Sequence, residues 1–183
     1  MRAHWSKLPK SAMPHLENIL GAFALTIADR VTKRALETSH CSEGGIIALN
    51  QIGTRERPTI EDLRASLDVD THSAATRVVA RLEADQLVTK TKSDEDSRFI
   101  HLALTEKGAA VRESILAERQ NILEEAISTL NEDERQTLET LLKKILGGLP
   151  FDHRACDRTC RLCDTGACSD PDCPVQIQHH QAL

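Results

Sequence analysis

The sequence predicts a mostly α-helical fold interrupted by one small β wing. Apolar residues recur at three- and four-residue spacing through most of residues 14–148. The period shortens only between Leu87 and Leu104, and capping or breaking residues stand where the periodic runs stop. With 183 residues, 40% hydrophobic and 28% charged, the chain can bury one ordinary core with a little length to spare.

Residues 1–13 are polar, without periodic pattern, and read as a flexible arm. Pro14 suits a first helical position, and Leu16, Ile19, Leu20, Phe23, Ala24, Ile27 and Val31 then form one stripe, predicting a helix to about Leu36. Ser42 can cap a second helix whose inner side is Ile46, Ile47, Leu49 and Ile52, with Gly53 ending it. After a turn at Arg55 to Pro58, Thr59 with Glu61 and Asp62 opens a short helix, with carboxylates on the positive end of its dipole. Asp68, Val69 and Asp70 lead tightly into an amphipathic stretch, Thr71 to Asp85, with Ala75, Val78, Val79 and Leu82 on its inner side. Two helices joined so closely read as a helix-turn-helix.

Leu87 to Lys90 and Phe99 to Leu104 are β-prone, and the polar run Ser93 to Arg98 between them makes a hairpin with a charged tip. Thr105 can cap a long helix carried by Val111, Ile115, Leu116, Ile122, Leu123, Ala126, Ile127 and Leu130. Asn131 with Glu134 can box the start of another, striped by Leu138, Leu141, Leu142, Ile145 and Leu146 and stopped by Gly147, Gly148 and Pro150.

Composition narrows function. Four aromatic residues (Trp5, Phe23, Phe99, Phe151) are too few for modules that stack single-stranded bases on aromatic platforms. With 23 Lys+Arg against 28 Asp+Glu the net charge is -5, so DNA binding requires a local arrangement of cations. Residues 53–101 are themselves slightly acidic, with eight Lys+Arg and ten Asp+Glu. The longest near-apolar run, Ile19 to Ala28, is too short to span a bilayer, and no cleavage-site pattern follows it. One cysteine, Cys41, precedes residue 156, which removes a disulfide framework from the body and suits the cytoplasm.

Order and spacing now identify a winged helix-turn-helix domain flanked by N- and C-terminal dimerisation helices, and the chain resembles the MarR family of transcription regulators. The resemblance covers residues 14 to about 148, with a DNA-binding core at about 43–105. It is carried by Thr59-Ile60-Glu61-Asp62-Leu63, Ser73-Ala74-Ala75-Thr76-Arg77, Arg81-Leu82-Glu83, Asp96-Ser97-Arg98 and Leu104-Thr105-Glu106-Lys107-Gly108. Gln86 departs from the pattern, standing where the family usually has Gly before the wing.

A recognition helix projects short polar and guanidinium side chains into the major groove, and Thr71, His72, Ser73, Thr76 and Arg77 lie opposite the apolar stripe or at its leading end. At the wing tip, Arg98 can reach a narrow minor groove while Asp96 steadies its guanidinium. Lys90 and Lys92 would meet phosphates. Arg81 reads instead as paired with a carboxylate on a solvated face.

The first helix and the last two carry stripes wider than a winged domain can cover, so a homodimer is expected, which the resemblance also implies. Two-fold symmetry then asks for a palindromic operator with recognition helices about 34 Å apart. The resemblance further implies a small-molecule effector, often acidic or aromatic, in a cleft between the dimer helices and the winged domain.

Residues 149–183 differ in composition. Cys156, Cys160, Cys163, Cys168 and Cys173 fall within 18 residues, with Pro174 after the last. Too short to bury a core of its own, such a tail economically folds around a metal centre, for which Cys160, Cys163, Cys168 and Cys173 are the preferred ligands and Cys156 the alternate. An iron-sulfur cluster makes the chain a redox or iron sensor, a tetrathiolate zinc makes the tail a structural knob, and reversible disulfides make it a thiol switch. His153, His179 and His180 read as solvated, and Cys41 as a half-buried small hydrophobe.

Cys156-x3-Cys160-x2-Cys163 is also the cluster spacing of radical-SAM enzymes, but 20 residues after Cys163 leave no room for their barrel. No nucleophile elbow, phosphate loop or His-Glu-x-x-His helix occurs, so the chain is not expected to be an enzyme. The sequence thus points to a cytoplasmic, homodimeric DNA-binding regulator, acting as a repressor, tuned by the metal or redox state of its cysteines. The alternative is a metal- or thiol-binding interaction module that uses the helical body as a dimerising platform.

Overall fold

The computed structural model describes residues 13–67, 69, 71–93, 100–149, 153–164 and 173–175. The expected arm before Met13 lies outside them, as do Asp96, Arg98, Phe99, Pro150 and Cys168.

Among the described residues, seven helices and one hairpin follow in the order α1 (Pro14–Ser39), α2 (Glu43–Thr54), α3 (Ile60–Leu67), α4 (His72–Ala84), β1 (Val88–Lys92), β2 (Ile100–Leu104), α5 (Glu106–Ala126), α6 (Glu132–Gly147) and α7 (His153–Thr159). Local chemistry explains most boundaries. Pro14 opens α1, and His40 at φ 55° closes it by donating its N–H to Leu36 O. Ser42, Thr71, Thr105 and Asn131 each accept a backbone N–H at a helix start. Asn131 and Glu134 complete the expected reciprocal box. Asp62 plays the corresponding part at α3, taking the N–H and the hydroxyl of Thr59 at 2.7 Å each.

β1 and β2 form an antiparallel pair in register from Val88 opposite Leu104 to Lys92 opposite Ile100. Leu102 N–H also donates to Pro58 O at 2.8 Å, which ties the turn before α3 to the wing. The core lies under α2, α3, α4 and the wing, built from Ile46, Leu49, Leu63, Val79, Leu82, Val88 and Leu102 with Ile115 of α5. α1 packs chiefly along α5, where Arg34 pairs with Glu118 at 2.9 Å.

Two sequence expectations need correction. α5 stops at Ala126, so Ile127 and Leu130 lie in the turn before α6, where Leu130 N–H bonds to Ile127 O at 3.1 Å. Gly53 does not end α2. It sits inside the last turn, where an added Cβ would lie 2.5 Å from Arg112 Cδ, so its missing side chain makes room for Arg112. The cysteine segment borrows the core of the winged lobe: α7 lies on α3, and Leu162 packs against that core.

Candidate nucleic-acid interface

α4 presents two faces because its apolar residues keep helical spacing. Ala75, Val79 and Leu82 are buried, which turns Arg77 outward on the opposite side. Arg77 is exposed, and no hydrogen bond or ion pair engages it among the described residues. Thr71, His72 and Ser73 are exposed at the leading end. Thr71 is committed as the cap, accepting Ala74 N–H at 3.3 Å and the Ser73 hydroxyl at 3.2 Å. Thr76 is half-buried and returns its hydroxyl to His72 O at 2.9 Å. His72 Nδ1 lies 3.4 Å from Glu61. Of the five residues expected on the recognition helix, the structure brings all to one end of α4, and Arg77 alone projects an unengaged cation.

The wing cations divide in the same way. Lys92 is exposed and unengaged among the described residues. Lys90 is drawn back to Glu83 at 2.6 Å, which neutralises it toward a phosphate. Arg81 pairs with Asp85 one turn on at 2.9 Å, as its spacing suggested. Asp96 and Arg98, the residues expected at the wing tip, lie outside the described residues.

Backbone geometry aims the wing. Leu87 N–H bonds to Leu82 O at 2.9 Å and Gln86 N–H to Glu83 O at 3.0 Å, which together make a Schellman close with Gln86 at φ 60°. Gln86 therefore occupies a left-handed position that favours glycine, so the departure noted in the sequence changes the residue and leaves the turn intact. Thr105 donates its hydroxyl to Gln86 O at 2.7 Å and its N–H to Leu87 O at 3.1 Å. Gly108 completes the junction, because a Cβ there would stand 1.9 Å from Leu87 O.

The cysteine segment is docked on the same lobe by residues whose role sequence reasoning missed. Asn50, 1% exposed, donates its amide to Arg161 O and Cys163 O at 3.1 Å each. Gln51 reaches Arg161 O at 3.3 Å while its own oxygen accepts from Ser66 at 3.1 Å. Arg112 donates to Asn50 Oδ1 at 3.1 Å. Arg55 joins Asp62 O at 3.0 Å to the Asp157 carboxylate at 2.9 Å. The signal was present: an Asn-Gln pair interrupts the apolar face of α2, and buried amides require partners. Nothing in the sequence said where those partners were.

Cys156 is buried, its thiol directed to Val175 O at 3.8 Å, while Cys160, Cys163 and Cys173 are half-buried. Hydrogen bonding from the Cys160 side chain brings the Cys163 thiol down to about 6 against burial, helped by Arg119 and Arg161. Burial pushes the Cys41 thiol up. Among the described residues no three His, Cys, Asp or Glu side chains gather into a metal site, and Cys168, one of the four expected ligands, lies outside them. No helix among the described residues is long and apolar enough to cross a membrane.

Comparison with known proteins follows this geometry. Residues 46–98 match the profile of the MarR family. The transcriptional repressor MprA of Escherichia coli K12 is 26% identical over 140 residues, covering 74% of this chain and 80% of MprA. The transcriptional repressor MdtR of Bacillus subtilis is 39% identical over 62 residues, 34% of this chain and 40% of MdtR. Among solved structures, wild-type apo MarR from E. coli superposes with a TM-score of 0.59 at 27% identity, covering 72% of this chain and 96% of MarR. YusO of B. subtilis superposes at 0.66 and 24% identity, over 76% of this chain and the whole of YusO, a likeness of fold. The cysteine segment lies beyond the matched profile. Regulators of this family are DNA-binding proteins and not enzymes. Helix order, wing register and the matched segment agree: residues 46–98 match the MarR family of transcription regulators, and the fold is similar to the structure of MarR itself.

Proposed function

We propose that the chain is a cytoplasmic repressor that binds a palindromic DNA site as a homodimer, and that its cysteine segment tunes that binding. The observation that carries the DNA reading is Arg77, an exposed and unengaged guanidinium directly opposite the buried stripe of α4. Lys92 adds a phosphate contact on the wing, and Arg98 is the proposed minor-groove contact. Repression is supported by the relatives MprA and MdtR, both named transcriptional repressors. Pairing of two copies is supported by Leu16, Ile19, Leu20 and Phe23 of α1 and Leu141, Leu142 and Ile145 of α6, all exposed in the lone chain. A second copy hides these stripes and sets two recognition helices about 34 Å apart. A small-molecule effector would act by favouring one arrangement of the two winged lobes.

For the cysteines, thiol chemistry is preferred to a four-thiolate iron-sulfur or zinc centre. Cys160 and Cys163 share one turn, closed by Cys163 N–H to Cys160 O at 3.0 Å, whereas Cys156 is turned to Val175 O. Anaerobic purification with metal analysis and a visible spectrum tests this preference: a coloured iron-containing protein, or one zinc per chain, replaces it with the metal centre.

The DNA reading is tested by gel shift against the DNA upstream of the chain's own gene, with Arg77→Ala and Arg98→Ala beside wild type. Retention by wild type and loss by both variants is expected. Equal retention by all three defeats it and leaves the cysteine-bearing interaction module in its place.

A further inference from the structure

We propose that Cys160 and Cys163 form a two-thiol modification site, oxidised by hydroperoxides to an intramolecular disulfide, whose closure releases the cysteine segment from the DNA-reading lobe. The inference deepens the function proposed above and rests on it for its effect on DNA, but not for its chemistry.

Three observations carry it. First, the two thiols sit three residues apart on a turn closed by Cys163 N–H to Cys160 O at 3.0 Å, and both are half-buried, so a small oxidant reaches them while Cys156 is covered. Second, the backbone between them is what the lobe grips. Asn50 and Gln51 hold Arg161 O, and Asn50 also holds Cys163 O. Third, the grip continues to both functional parts. Gln51 accepts from Ser66 of α3, the helix that precedes the recognition helix, and Arg55 ties Asp62 of α3 to Asp157 of α7. On the other side Cys156 meets Val175 O, and Pro174 lies against the end of α6, 3.8 Å from where a Gly147 Cβ would stand. The segment therefore spans from the helices that position α4 to the helix proposed to pair two copies.

The chemistry balances without a cofactor. One sulfur, as thiolate, attacks the outer oxygen of the hydroperoxide. The O–O bond breaks, an S–O bond forms, and the alkoxide leaves and takes a proton as the alcohol. The second sulfur attacks the sulfenic sulfur; the S–S bond forms, the S–O bond breaks, and hydroxide leaves with the remaining thiol proton as water. Two thiols lose two electrons and the hydroperoxide gains them. Closure fixes the sulfurs at about 2.05 Å with a dihedral of about 90°. The Arg161 carbonyl lies inside the ring so formed, and the turn that now offers it to Asn50 and Gln51 must rearrange. Buried amides that lose their acceptors disfavour the docked state, so α7 leaves α3 and the support it gives the helix-turn-helix is lost.

The test uses full-length, metal-free protein treated with hydrogen peroxide. Peptide mass spectrometry is expected to find a Cys160–Cys163 cross-link in wild type and in Cys41→Ser, and none in Cys160→Ser or Cys163→Ser. Hydrogen exchange is expected to rise across residues 153–163 only where the cross-link forms. Fluorescence anisotropy with the DNA upstream of the gene should show affinity falling on the order of tenfold on oxidation, in the usual range for coupled sites, with both serine variants unresponsive. Absence of the cross-link in wild type overturns the site even if DNA binds. A cross-link with unchanged exchange and affinity overturns the release. A cross-link with faster exchange in a protein that binds no DNA in either state upholds the site and its release, and overturns the repressor function instead.

Discussion

The side-chain amide of Asn50 lies 3.1 Å from the carbonyl oxygen of Cys163, residues 113 positions apart, and Asn50 is almost wholly buried. The turn after α7, beyond the expected dimerisation region, is thereby held against the winged lobe. Asn50→Leu keeps the branched shape but leaves Cys163 O and the Arg112 guanidinium without this partner, and Arg161 O with Gln51 alone. Urea unfolding is expected to show a loss of about 1–3 kcal/mol. A variant as stable as wild type would mean that these bonds contribute nothing net.

Gly108 and Gly21 make a matched pair. A methyl at Gly108 meets Leu87 O at 1.9 Å, a backbone atom held in the wing junction, while nothing stands within 4 Å of one at Gly21. Gly108→Ala is expected to cost about 1–3 kcal/mol through overpacking, and Gly21→Ala to gain about 0.5–1 kcal/mol in a helix interior. Thermal unfolding of the two variants should move in opposite directions.

Lys92 and Lys90 are two residues apart on one strand yet differ in availability, since Glu83 holds Lys90. Titrating DNA affinity against salt should show the slope falling by about one for Lys92→Ala. Lys90→Ala should change it less, because its charge is already countered. The reverse order would place the wing on DNA differently.

Phe23 is 45% exposed in the middle of the α1 stripe. Phe23→Glu puts a carboxylate where a second copy would bury an apolar ring. Light scattering should report monomers for this variant and dimers for wild type, with unchanged helical circular dichroism. A dimeric variant would exclude this face.

Thiol reactivity follows the two shifted cysteines. The nucleophile is the thiolate, so reactivity is lost as pH falls through the folded pKa. In metal-free protein, iodoacetamide labelling of Cys163 should rise through a midpoint near pH 6, the value to which the Cys160 hydrogen bond brings it. Cys41, pushed up by burial, should stay slow until well above neutral pH. A Cys163 profile centred near about 8.5, where an unperturbed cysteine titrates, would show that the pair is not engaged in solution.

Local signals were legible because they act over a few residues. Ser42, Thr105 and Asn131 were read as caps and each accepts a backbone N–H, whereas Thr71, read as a DNA contact, turned out to cap α4 as well. Arg81 was read as paired with a carboxylate, and Asp85 is that partner. The unusual Gln86 was also visible, although only the φ of 60° and the bonds from Leu87 and Gln86 explain how the turn tolerates it. Arg77 could be assigned to the outer face from the period of Ala75, Val79 and Leu82 alone.

What the chain's own pattern determined is its succession of helices, the hairpin, and which side of each faces a core, since periodicity and capping are encoded within a few residues of where they act. Tertiary structure decided which cations remain available, Arg77 and Lys92 in contrast to Lys90, because a carboxylate seven residues away decides that in space. It also decided that the cysteine segment rests on Asn50 and Gln51. A backbone carbonyl offers the same chemistry at every position, so no residue type could announce that Arg161 and Cys163 were the ones those buried amides would find.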